Sequence, residues 1–76
     1  MNYPKLRDVM KIVNGSTVVS VVVLSADDDG EIQQTRVWRG FPEYVSIDKL
    51  ENMGAVYVRS MFVAGGLVLQ CQTEGE

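Results

Sequence analysis

Nine residues constrain this chain more than any others: Thr17 to Ser25, reading TVVSVVVLS. β-Branched side chains fit a pleated surface better than a helix, so the run is a strand. Alternation puts Val19, Val21 and Val23 on one face, and Val18, Ser20, Val22 and Leu24 on the other. A strand apolar on both faces calls for cover on both. The chain has 76 residues with which to supply it. That is one domain, residues 1–76, with a small core.

The flanking segments arrange themselves around this strand. Lys5 to Val13 reads as a short helix, with Leu6, Val9, Met10 and Val13 on one apolar face. Pro4 suits its first turn, and Asn14-Gly15 supplies a stop, with Gly15 as a left-handed cap. Ala26 to Glu31 is a polar turn. Ile32 to Arg39 returns as a second strand. Period-two counting there puts Ile32, Gln34, Arg36 and Trp38 on one face, and Gln33, Thr35, Val37 and Arg39 on the other.

Gly40-Phe41-Pro42 breaks that strand. Glu43 to Met53 is either loop or a helical turn or two over Ile47 to Asn52, capped by Ser46 or Asp48 and ended by Gly54. Ala55 to Val63 and Leu67 to Gln72 are two further strands around an Ala64-Gly65-Gly66 turn, and Thr73 to Glu76 is a frayed acidic tail. The expected fold is α+β: a small four-stranded, mainly antiparallel sheet from two hairpins, with an N-terminal helix on one face, in the order α-β-β-(α)-β-β.

One short helix covers only part of one face, yet the first and third strands are apolar on both. Each large side chain left in water forgoes roughly 1.5–3 kcal/mol. A homo-oligomer is therefore expected. The alternative is that Phe41 to Met53 folds over the second face.

Composition removes several classes of function. Apolar residues make up 46% of the chain and charged ones 22%, which suits a folded domain rather than a disordered one. Histidine is absent, so imidazole bases and imidazole metal sites are excluded. Cys71 is the single cysteine, so neither an intrachain disulfide nor a cysteine cluster can form. No catalytic residues, metal site or cofactor are expected, and the chain is not expected to be an enzyme. A net charge of −3 argues against nucleic acid and against anionic membranes as partners. No signal layout opens the chain, and the apolar stretch Met61 to Leu69 falls far short of the ~20 residues a spanning helix needs. A cytoplasmic protein is expected.

Two constellations carry chemistry. Arg36, Trp38 and Arg39, joined by Arg59 and by Tyr44 or Tyr57, combine guanidinium forks with aromatic planes, which suits phosphates and a base. Asp27, Asp28, Asp29 and Glu31 form an acidic tip able to meet a basic protein. As a calcium loop the tip fails: the sixth position from Asp27 is Ile32 where glycine is needed, and the twelfth is Trp38 where glutamate is needed. Gly65-Gly66 precedes a strand and not a helix, so it is a turn and not a phosphate loop.

Lys5-Leu6-Arg7-Asp8-Val9-Met10, the valine strand and the acidic Asp-Asp-Gly turn resemble a group of small phage and prophage accessory proteins. Trp38-Arg39-Gly40-Phe41-Pro42-Glu43 and the closing hairpin Val56 to Cys71 share that layout. The resemblance implies a mobile-element protein of the bacterial cytoplasm that disables a host factor or sequesters a host signalling nucleotide. It carries over no site residues. Three readings follow: an oligomer trapping an anionic small molecule between subunits, an inhibitor or adaptor docking a host protein through its acidic surface, and a structural oligomer.

Overall fold

The valine run forms one of two central strands. The computed structural model describes residues 2–74. In chain order the elements are α1 (Leu6–Ile12), β1 (Val19–Ala26), β2 (Ile32–Gly40), a 3₁₀ turn (Pro42–Tyr44), α2 (Ile47–Asn52), β3 (Tyr57–Val63) and β4 (Leu67–Gln72). The strands form one sheet in the order β2-β1-β4-β3. Both hairpins are antiparallel, and β1 runs parallel to β4, with Val19 beside Leu67 and Val23 beside Cys71. The α+β fold with its two hairpins and N-terminal helix is thus the observed one. The expected tail ends in residues 75–76, which lie outside the described residues.

The core lies on one side of the sheet. Leu6, Val9 and Met10 of α1 pack with Val19 and Val21 of β1, Val58 of β3, and Leu69 and Cys71 of β4. Leu50 of α2 belongs to the same cluster, with Val45 and Ile47 against it. Arg7 of α1 clamps this arrangement from outside: its Nη2 donates to Glu51 at 2.6 Å and to Asp48 at 3.3 Å, and its Nε donates to Glu51 at 3.2 Å. Hydrogen bonding from Arg7 is the largest cause holding the Glu51 carboxyl below its ordinary pKa.

The segment Phe41 to Met53 therefore does not cover the second face. α2 is apolar at Leu50 and reaches the layer that α1 leaves incomplete, so both helices share one side. The helix stop also differs from expectation. Val13 leaves α1 in an extended conformation, and Gly15 is not among the glycines with positive φ. The Asn14 side chain makes the stop instead, its Oδ1 accepting the Ser16 N–H at 2.8 Å.

Two β-bulges break the simple alternation. On β2, Val21 sits beside Trp38 and Val22 beside Arg36, so Val37 is an extra residue. On β3, Val58 sits beside Cys71 and Ser60 beside Gln70, so Arg59 is extra. Each insertion exchanges the faces of everything beyond it. Trp38 turns onto the helix side and packs on the core, with its ring 3.0 Å from the position a Cβ on Gly40 would take. Arg39 turns onto the opposite side, beside Ser20.

Candidate functional site: the open face of the sheet

The side of the sheet away from the helices is lined by Ser20, Val22 and Leu24 of β1, Ile32, Gln34, Arg36 and Arg39 of β2, Val68, Gln70 and Gln72 of β4, and Tyr57, Ser60 and Phe62 of β3. The strand registers place them in cross-strand rows. One row is Phe62, Val68, Ser20, Arg39, and the next is Ser60, Gln70, Val22, Arg36.

This face is less apolar than alternation alone predicts. Val22 and Val68 are each only 9% exposed, though neither belongs to the helix-side core. Their neighbours in the rows cover them. Arg36 and Gln70 flank Val22, and Phe62 and Ser20 flank Val68. A polar ladder ties the strands together. The Ser60 hydroxyl donates to Gln70 Oε1, and Gln70 Nε2 donates across β1 to Gln34 Oε1 at 3.1 Å.

Charge carried by the strand residues of this face has one sign. Arg36 and Arg39 stand on β2, and Arg59 lines a shallow pocket with Leu24, Ala26, Ile32 and Gln72, of about 400 Å³. No strand residue on the face is acidic, although Glu74, just past β4, lines the rim of the pocket. The ion pairs among the described residues are those of Arg7 and the Lys11–Asp8 pair, all on the helix side. Arg36, Arg39 and Arg59 thus have no ion-pair partner among the described residues. Three strand spacings of about 4.8 Å separate Arg59 from the β2 arginines, within reach of one extended anion.

Of the residues singled out from sequence, the fold gathers Arg36, Arg39, Arg59 and Tyr57 on this face. It does not gather the other two. Trp38 packs on the core from the opposite side, and period-two counting failed there because of the bulge at Val37. Tyr44 lies in the 3₁₀ turn beside Gly15, Ser16, Phe41 and Glu43. Phe62, 44% exposed, is the aromatic ring that the sequence reading missed. A signal was present: strand pairing outward from Gly65 sets Phe62 opposite Val68 and Ser60 opposite Gln70.

The acidic tip divides in two. Asp27 Oδ1 accepts the N–H groups of Asp29 at 3.0 Å and Glu31 at 2.9 Å, and its Oδ2 accepts from Gln33 at 3.1 Å. These bonds, the Glu31 one first, hold the Asp27 carboxyl below its ordinary pKa. Asp27 is therefore the knot of the turn, and Asp28, Asp29 and Glu31 are its solvent-facing charges. Cys71 is fully buried, and desolvation pushes its thiol pKa up to about 12. Such a thiol is not a nucleophile near neutral pH.

Among the described residues, no group of three or more Cys, Asp or Glu is placed to hold a metal ion. No helix among them is long and apolar enough to cross a membrane. Comparison with protein-family models gave no match. Neither curated proteins nor solved structures gave one.

Proposed function

We propose that this protein is a non-enzymatic binding module that holds a phosphate-bearing nucleotide on the open face of its sheet. One observation carries the reading: a chain of net charge −3 has three arginines on a single face with no ion-pair partner among the described residues. Charge-assisted hydrogen bonds to anions are the strongest that a guanidinium makes. Arg36, Arg39 and Arg59 are the phosphate ligands, and Phe62 and Tyr57 offer planes to a base. Given the resemblance to phage accessory proteins, the role is sequestration of a host nucleotide signal in a bacterial cytoplasm.

Calorimetric titration with a panel of mono- and dinucleotides tests this. Binding is expected to weaken as salt rises. It is expected to fall about tenfold or more in Arg36→Ala and Arg39→Ala, each charge-assisted contact being worth about 1.5–3 kcal/mol. Trp38→Phe is expected to leave it unchanged. Absence of heat with every nucleotide at low salt overturns the reading.

The free carboxylates of Asp28, Asp29 and Glu31 support a second reading, in which the tip docks a basic host protein. Reversing Asp28 and Asp29 to Lys separates the two. It abolishes protein docking and leaves nucleotide uptake intact.

A further inference from the structure

The two edges of the sheet are unlike. β2 presents Gln33, Thr35, Arg36 and Arg39 and carries a bulge, the usual guards of an exposed edge. The edge at β3 is guarded only over its first part. There the Leu6 N–H donates to the Val56 carbonyl and the Val58 N–H to the Pro4 carbonyl, both at 2.8 Å. Beyond Val58 no described segment pairs with the outer side of Arg59 to Val63. This stretch is also where the apolar surplus collects. Met61 is 57% exposed, Val63 81% and the neighbouring Ile12 of α1 85%. With Pro4, Val9 and Val13 they line a groove of about 610 Å³.

We propose that Arg59 to Val63 pairs antiparallel with the same residues of a second copy, about a two-fold axis at Met61, so that two open faces become one and share an anion site. The free stretch fixes the register. It begins where the Pro4–Leu6 cap ends and stops at the Ala64–Gly66 turn, with Met61 at its midpoint. A slip one way drives each strand into the other copy's cap, and a slip the other way sets the strand against the turn and shortens the pairing. Charge favours the same arrangement, because antiparallel pairing puts each Arg59 opposite Val63 of the second copy, whereas parallel pairing stacks the arginines.

This strand is the occupant its own edge calls for. It is apolar on the groove side at Met61 and Val63, and short enough to clear the cap. A single pairing covers the surplus of both copies. Because β2 is guarded, the assembly closes as a dimer and does not propagate. On the merged face, Phe62 lies opposite Ser60 of the second copy. Two Phe62 rings and two Arg59 guanidiniums then surround the axis, and each copy completes the other's site. That second half rests on the nucleotide-binding reading.

Native mass spectrometry of the full chain without ligand tests the pairing, with mild oxidation of cysteine variants to fix the register. The wild type is expected to be a dimer and Met61→Lys a folded monomer by circular dichroism. Met61→Cys is expected to cross-link to itself, while Ser60→Cys and Val63→Cys do not, because disulfides need Cα atoms within about 7 Å. Buried Cys71 does not compete. A monomeric wild type overturns the pairing, as does a dimer that survives Met61→Lys, fails to cross-link through Met61→Cys, or cross-links through Ser60→Cys or Val63→Cys. Nucleotide affinity is then compared in the wild type and Met61→Lys, with a drop of about tenfold expected, equal to about 1.4 kcal/mol. Equal affinity overturns the shared site and leaves nucleotide binding standing. A cross-linked dimer that takes up no nucleotide supports the pairing and overturns the binding reading.

Discussion

Among the glycines, Gly66 has the least room for a side chain. Its φ is +127°, and a Cβ there would lie 2.7 Å from the Val18 carbonyl oxygen. Gly66→Ala is expected to cost about 1–3 kcal/mol in urea denaturation, as a strained backbone position does. Gly15→Ala meets nothing within 4 Å and is expected to stay within about 0.5 kcal/mol; the reverse order contradicts this account of the two turns. Asp27 adds a pH dependence. Its folded pKa lies below its unfolded value, so its stabilisation is complete above about pH 4 and is lost as pH falls through the folded value. Thermal midpoints of the wild type and Asp27→Ala are therefore expected to differ at neutral pH and to converge in strong acid. A gap that stays constant with pH contradicts the assignment.

At the scale of elements, α2 is too short to persist alone and is held by Leu50. Leu50→Ala is expected to cost about 2–5 kcal/mol in urea denaturation and to lower the stability of the whole chain. Arg7→Ala is expected to cost less, since its ion pairs are exposed. These elements were unequally legible. Leu6, Val9 and Met10 announce α1 by helical spacing, and Val19, Val21, Leu69 and Cys71 announce the core strands by alternation, because both signals are local. The side on which Leu50 docks was not legible, since an apolar residue in a short helix fits either face. The bulges were not legible either, because one inserted residue leaves no mark in composition. Their effect reaches the candidate site directly: Trp38 leaves it, Arg39 enters it beside Arg36, and Phe62 replaces the lost ring.

At the scale of the whole molecule, the fold is a two-layer body with apolar packing on one side and a charged, laddered surface on the other. Cys71 sits in the centre of the packed side and reports on its integrity. Its alkylation by iodoacetamide at about pH 8, near the ordinary thiol pKa, is expected to be slow in the native protein. The rate is expected to rise in step with global unfolding as urea is added. Rapid labelling without unfolding contradicts the burial. The parallel contact between β1 and β4 has a consequence for biosynthesis. It joins the two hairpins, and its halves come from widely separated parts of the chain. As translation proceeds, α1 and β1 leave the ribosome long before β4, with Val19 and Val21 lacking the strand that later pairs beside them. The parallel pairing of β1 with β4 therefore forms only after β4 has emerged, and until then the valine run lacks its central-strand neighbour.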